Sequence, residues 1–234
     1  MPESVARLSS STSHSLANTM GAMDIVNPDV EAYMRELQAR YDEPVLLEME
    51  AEGERRGFPI VGRNVGVVLE MLARSVGAQR VVELGSGFGY SAYWFARGMT
   101  SGGELHLTDG DPKNASQAEA YLARAGVGPA VTFHVGDAVT SLRELVGDFD
   151  IVYDDIDKDG YPEAWRAARD RVRVGGLYIC DNVLWSGRVP PDGEPPDDVT
   201  DAVREHNAMI AADERYVSSI LPIRDGVMVA LRIA

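Results

Sequence analysis

Two short acidic groups carry the most legible chemistry of this chain: Asp155-Ile156-Asp157-Lys158-Asp159 and Asp181-Asn182. Each follows an apolar run of strand character, Phe149 to Tyr153 and Gly176 to Cys180. Side chains just past the carboxyl ends of strands in an open α/β sheet face the crevice where ligands bind. Two carboxylates and a carboxamide converging there are hard oxygen donors, suited to Mg²⁺, Ca²⁺ or Mn²⁺ rather than zinc. A lysine inside such a cluster is a candidate for acid–base or electrostatic work. The pattern is that of a metal-using enzyme.

The elements that must position these groups begin at residue 80. Apolar strand runs at Arg80–Leu84, Glu104–Thr108, Ala130–Val135, Phe149–Tyr153 and Leu177–Cys180 alternate with helical stretches near 89–98, 112–125, 137–146, 161–171 and 198–212. This βαβ rhythm predicts an α/β fold with a doubly wound, Rossmann-like, mostly parallel sheet and helices on both faces. Tyr216–Pro222, an Arg224-Asp225-Gly226 turn and Val227–Ile233 read as a hairpin that adds an antiparallel strand at the end. Ahead of the sheet, Asn27-Pro28-Asp29 is a helix start, and helices are expected at about 28–41, 44–56 and 63–76. Residues 1–26 read as a flexible arm and 27–234 as one domain. The Pro- and Asp-rich run 190–198 is a candidate lid.

Composition bounds the function. A formal net charge of −15 argues against a phosphate-backbone partner. No apolar run approaches a membrane span, no signal-peptide pattern opens the chain, and the single cysteine, Cys180, lies in a core strand. The expected setting is cytoplasmic, with neither nucleic acid nor membrane as a partner. Lysine is rare: Lys113 and Lys158 are the only two, against 20 arginines.

Val81-Val82-Glu83-Leu84-Gly85-Ser86-Gly87-Phe88-Gly89-Tyr90-Ser91 reads as a strand, a glycine turn and a helix start. Glycines there let the backbone turn tightly and let a cofactor approach it. The spacing lacks the third glycine of the dinucleotide fingerprint, and Glu83 puts a carboxylate before the loop. Asp109 ends the next strand, where an acid can accept hydrogen bonds from both ribose hydroxyls. Asp137, followed by Ala138, is placed for an adenine edge. Gly85, Ser86, Gly87, Tyr90 and Ser91 complete the candidate cofactor set. A pocket rich in acids and poor in arginine suits the positive sulfonium of S-adenosylmethionine better than a pyrophosphate. A nicotinamide oxidoreductase would leave the Asp155, Asp181 and Asn182 group unexplained. A non-catalytic methyltransferase-like binding protein is the third reading.

Taken together, the glycine loop, Asp155-Ile156-Asp157-Lys158-Asp159-Gly160-Tyr161, Asp181-Asn182-Val183-Leu184-Trp185 and Leu221-Pro222-Ile223-Arg224-Asp225-Gly226 resemble the cation-dependent O-methyltransferases, the family of catechol and caffeoyl-coenzyme A O-methyltransferases. The resemblance covers about residues 27–234. It implies a seven-stranded sheet with the last strand antiparallel, S-adenosylmethionine as methyl donor, Mg²⁺ or another divalent cation, a small aromatic substrate and a homodimer. Carried over by residue, Asp155, Asp181 and Asn182 would hold the metal, with Asp155 also at the cofactor. Lys158 would be the catalytic lysine, Asp109 the ribose acid and Trp185 part of the substrate wall. The spacing to Lys158 selects Asp155 over the adjacent Asp154 as ligand. Asp157 and Asp159 are expected to tune charge or cap the helix after them. One segment departs from the family: Ile60-Val61-Gly62-Arg63-Asn64-Val65-Gly66 stands where caffeoyl-type members carry a polar stretch. His106 and His134 are expected in the core or at an edge, His206 on a solvated helix face, and Trp165 in packing.

Overall fold

A computed structural model describes residues 26–190 and 197–234. Residues 1–25 of the arm and most of the candidate lid fall outside these residues. Three helices come first: α1 (Pro28–Glu36), α2 (Pro44–Arg56) and α3 (Gly62–Ser75). The Asn27 side chain caps α1 by accepting from Asp29 N. The helix expected to run to residue 41 stops at Glu36, and a 3₁₀ turn, Ala39–Tyr41, buries Tyr41 instead. Pro44 next sets the chain extended at Glu43 before α2 begins.

The alternating part follows as β1 (Arg80–Leu84), α4 (Tyr90–Gly98), β2 (Glu104–Asp109), α5 (Pro112–Ala125), β3 (Ala130–Val135), α6 (Ala138–Glu144), β4 (Phe149–Asp154), α7 (Tyr161–Ala168), β5 (Val172–Cys180), α8 (Asp198–Ala211), β6 (Tyr216–Leu221) and β7 (Val227–Arg232). The seven strands form one sheet in the order β3-β2-β1-β4-β5-β7-β6. Strands β1 to β5 are parallel, and β7 runs antiparallel between β5 and β6. Helix α7 ends three residues sooner than its pattern suggests, because Arg171 already offers its carbonyl to Phe149 N as β5 begins.

Both faces of the sheet are covered. Helices α3 and α4 bring Leu69, Trp94 and Phe95 to one face, against Val81, Ile151 and Tyr153. Helices α7 and α8 bring Trp165, Val203 and Ile210 to the other, against Val82, Val152 and Tyr178. Full burial of one such large apolar side chain contributes about 1.5–3 kcal/mol. Trp165 is therefore packing, edge-on to Tyr178 and Tyr216.

The packed sheet fixes where its strands end. Leu84 lies opposite Asp154, and Asp154 opposite Cys180, so the carboxyl ends of β1, β4 and β5 are level. The order also reverses between β1 and β4, which opens the crevice that doubly wound sheets use for ligands.

Candidate active site

The three level strand ends release Gly85, Asp155 and Asp181 side by side. Asp155 N donates to Leu84 O at 2.9 Å, and Asp181 N donates to Asp154 O at 3.1 Å. Gly85 has φ 81°, and a Cβ there would lie 2.5 Å from the Asp155 carbonyl oxygen. Only glycine lets the cofactor loop and the acidic turn meet this closely.

These ends line a cavity of about 880 Å³. From the loop and α4 it takes Gly85, Ser86, Gly87, Tyr90 and Ser91; from the ends of β2 and β3 it takes Asp109, Asp137 and Ala138. Asp155, Lys158, Asp181, Asn182 and Trp185 form the other side. Glu83 is the exception among the residues singled out from the sequence. It is fully buried off the cavity wall, accepts a short hydrogen bond from the Ser91 hydroxyl, and leaves Oε2 without a partner. Burial pushes its carboxyl up to about 8. Glu83 reaches the cavity through Ser91.

The other two acids have local duties as well. Asp109 accepts from Gly87 N at 3.0 Å and from Asp111 N and the Asn114 amide through its second oxygen, so it holds the glycine loop to α5. Asp137 caps α6 by accepting from Thr140 N at 2.7 Å. Neither Asp157 nor Asp159 caps α7: Gly160 takes the cap position with no side-chain hydrogen bond.

Electrostatics set the acidic end apart. Asp181 is 3% exposed, and its Oδ1 has no hydrogen-bond partner. Burial first, then repulsion from Asp155, pushes its carboxyl up to about 7. Burial also raises Asp155, partly offset by Lys158. Lys158 Nζ lies 3.2 Å from Asp155 Oδ1 and 3.3 Å from Ile156 O, and 5.1 Å from the centre of the Tyr161 ring. Burial works to lower the lysine, but the charge and hydrogen bond of Asp155 outweigh it and leave the ammonium above its ordinary value. Two neighbouring carboxylates and an amide, one oxygen buried and unpaired, have the donor chemistry that a hard divalent cation satisfies.

The turn after β5 is strained. Asn182, Trp185 and Ser186 have φ of 54°, 47° and 52°, a region that costs non-glycine residues roughly 1–2 kcal/mol each. The β6–β7 hairpin pins it: Val183 N donates to Gly226 O at 3.1 Å, Leu184 N to Asp225 O at 2.9 Å, and Ser186 N to the Asp225 carboxylate. Close approach depends on Gly226, where a Cβ would lie 2.4 Å from Leu184 Cγ.

Behind the cavity lies a group not anticipated from the sequence. Asp154, Cys180 and His206 are buried with ligand-type atoms within 4.8 Å of one another. Tyr178 links two of them, donating to Asp154 Oδ2 at 2.6 Å with its oxygen 3.0 Å from His206 Nε2, while Cys180 Sγ donates to Asp181 O at 3.6 Å. His206 Nδ1 is 3.2 Å from Asn207 Oδ1, and Asn207 donates to Val183 O at 2.8 Å. His206 is thus a fully buried link between α8 and β5, with Asn207 beside it reaching the strained turn, and not a solvated helix residue; burial pushes it down to about 4. Unlike Asp181 Oδ1, each of the three already has a hydrogen-bond partner. His106 and His134 stack on the outer strands β2 and β3, as residues of a sheet edge do.

The cavity also recruits Phe58, Pro59, Arg224 and Asp225, which sequence reasoning did not place there, and Ile60 and Val61 from the segment that departs from the family. The two segments meet where Arg224 Nη1 donates to Ile60 O at 2.6 Å. The hairpin motif around Arg224 was visible in the sequence; its closeness to residue 60 was not.

Residues 36–233 match the sequence profile of an O-methyltransferase family. The chain belongs to this family. As an S-adenosylmethionine-dependent O-methyltransferase it has curated relatives of known name. It is 33% identical over 198 residues to a catechol O-methyltransferase of Niastella koreensis, spanning 82% of this chain and 89% of the relative. It is also 33% identical over 180 residues to caffeoyl-CoA O-methyltransferase 1 of Arabidopsis thaliana, spanning 72% and 70%. Among solved structures, the O-methyltransferase TomG from Streptomyces achromogenes, involved in tomaymycin synthesis and bound to S-adenosylmethionine, superposes with a TM-score of 0.77 at 28% identity, covering 88% of this chain and 96% of TomG. The O-methyltransferase from Bacillus cereus in complex with S-adenosylhomocysteine gives 0.78 at 28% identity, over 87% and 97%. No helix among the described residues of this methyltransferase is long and apolar enough to cross a membrane.

Proposed function

We propose that the protein is a Mg²⁺-dependent enzyme, or one using another divalent cation, that methylates a hydroxyl of a small catechol-like aromatic. The observation that carries the reading is the buried, unpartnered Asp181 Oδ1 on the wall it shares with Asp155 and Asn182. Asp155, Asp181 and Asn182 would hold the cation, whose chemistry is that of a Lewis acid that makes a bound hydroxyl more acidic.

The chain's own residues do the rest. Asp109 is placed for ribose hydroxyls, Asp137 and Ala138 for the adenine, and Tyr90 and Ser91 for the methionine end of S-adenosylmethionine. The Tyr90 ring is held from behind, its hydroxyl donating to Glu50 at 2.9 Å while Glu50 is paired with the buried Arg63. Lys158, cationic beside Asp155, is placed to stabilise negative charge developing on the substrate oxygen and to take part in its proton transfer. Trp185 and Phe58 supply apolar walls that orient a ring and exclude water. A homodimer in the cytoplasm, with neither nucleic acid nor membrane as partner, completes the reading.

The test is methyl transfer followed by mass spectrometry, with S-adenosylmethionine, a panel of catechols and hydroxylated aromatic acids, and either Mg²⁺ or chelator. A methylated product that disappears with chelator is expected. Equal product in chelator would dismiss the metal assignment, and no product on any member of the panel would dismiss the catechol class.

A further inference from the structure

Aspartates dominate the polar wall of the cavity, and among the described residues the basic ones lining it are Lys158 and Arg224. Lys158 is already paired with Asp155 at 3.2 Å. Among the described residues Arg224 forms no ion pair within 4 Å and one hydrogen bond, from Nη1 to Ile60 O; its charge acts at longer range on Asp155, Asp181 and Asp225, and Nε and Nη2 hold no hydrogen-bond partner among those residues.

The backbone of Arg224 is unusual as well. It stands in the turn closed by Gly226 N donating to Ile223 O at 2.9 Å, with φ 49°, a conformation that glycine adopts without penalty and arginine does not. A strained non-glycine residue at the edge of a ligand cavity points to a function for its side chain. The turn that carries it is fastened by three hydrogen bonds to residues 183–186, the segment following Asp181 and Asn182 and containing Trp185. Arg224 therefore belongs to the acceptor side of the cavity rather than to the glycine loop.

We propose that Arg224 is a specificity-determining residue that binds a carboxylate on the aromatic acceptor, so that the preferred substrates are hydroxylated aromatic acids rather than neutral phenols. The inference deepens the O-methylation reading above and rests on it. A guanidinium fork matches a carboxylate bidentately. Most of the remaining polar wall consists of carboxylates, which repel such a group, so one guanidinium both accepts the acid and fixes which end of the ring faces the strand ends.

Two variants test this. Arg224→Gly removes the guanidinium and suits the φ of the position, so it is expected to fold. Arg224→Lys keeps a charge without the fork. The kcat/KM for 3,4-dihydroxybenzoate is expected to fall about 10- to 100-fold in Arg224→Gly, chiefly through KM, with partial recovery in Arg224→Lys. The value for 4-methylcatechol is expected to fall by about threefold or less. Equal losses for the two substrates would mean a merely structural role and overturn the proposal. So would weaker binding of S-adenosylmethionine with an unchanged ratio of acid to neutral turnover, which would place the cofactor's own carboxylate on Arg224. Calorimetric titration of 3,4-dihydroxybenzoate into wild type and Arg224→Gly separates the two levels of inference. If neither catechol is methylated by the wild type, the catechol reading fails, and the affinities still decide the role of Arg224: weaker binding in the variant supports it and equal binding overturns it.

Discussion

Replacing Asp181 by asparagine should make the metal-free protein more stable at pH 8 while abolishing its response to Mg²⁺. The carboxylate is 3% exposed with one unpartnered oxygen. Burial and the neighbouring Asp155 push its pKa up to about 7, against roughly 3.9 in an unfolded chain. A folded value above the unfolded one means that the folded state binds the extra proton between about pH 4 and 7. The stability contribution is therefore fully present below pH 4, is lost as pH rises through that window, and is gone above pH 7. About three pH units at about 1.4 kcal/mol each set an upper figure of about 4 kcal/mol for keeping Asp181 ionised at pH 8. Relaxation and water entry bring this to roughly 2 kcal/mol. For a chain of this size that is a rise in Tm of about 4–8 °C. Thermal denaturation in chelator should show this gap at pH 8 and less than half of it at pH 5. Adding Mg²⁺ should then raise the Tm of the wild type, because only the folded state binds it, and leave the variant unmoved. A variant no more stable than wild type at pH 8 would refute the electrostatic reasoning, and an equal Mg²⁺ response in both would move the cation elsewhere.

Three further outcomes are expected. Lys158→Ala should slow turnover by about 10²–10⁴-fold with S-adenosylmethionine affinity retained by calorimetry; unchanged turnover would remove the lysine from catalysis. Gly85→Ala, with φ 81° and a Cβ 2.5 Å from Asp155 O, should lower the Tm and weaken cofactor binding together, because the glycine loop and the acidic turn must separate. Tyr178→Phe deprives Asp154 and His206 of their shared hydroxyl and should cost about 1–3 kcal/mol in urea denaturation; an unshifted midpoint would show that the buried network adds nothing to stability.

What the sequence made legible follows from how local each signal is. The strands β1 to β4 are short apolar runs bounded by glycine, aspartate and charged segments, and their observed ends lie within one residue of those read from the pattern. Strand β5 starts five residues earlier than its apolar run, because Val172 already pairs with Phe149 of β4, ahead of a register shift between Phe149 and Ile151 that no periodicity encodes. His206 misled for a different reason. A histidine in a late polar helix looks solvated until the sheet places Tyr178 3.0 Å from its ring. The candidate site was legible to the extent that it is built from strand ends, since each strand announces its own carboxyl terminus and the acids stand immediately past it.

The part of the site that was not legible has a common origin. Residues 58–61 and the Arg224 turn lie more than 160 positions apart in the chain, and neither carries a pattern that names the other. They meet because β7 inserts antiparallel beside β5, which swings the β6–β7 turn over the strained segment after Asp181 and into contact with the entrance to α3. Strand ends thus place the acids that chemistry demands, and sheet order decides which distant side chains form the wall facing them. That division makes Arg224 a sharper test of substrate choice than any residue of the glycine loop. Its position depends on the antiparallel strand β7, and among the described residues its side chain is the lining cation that forms no close ion pair with an acid.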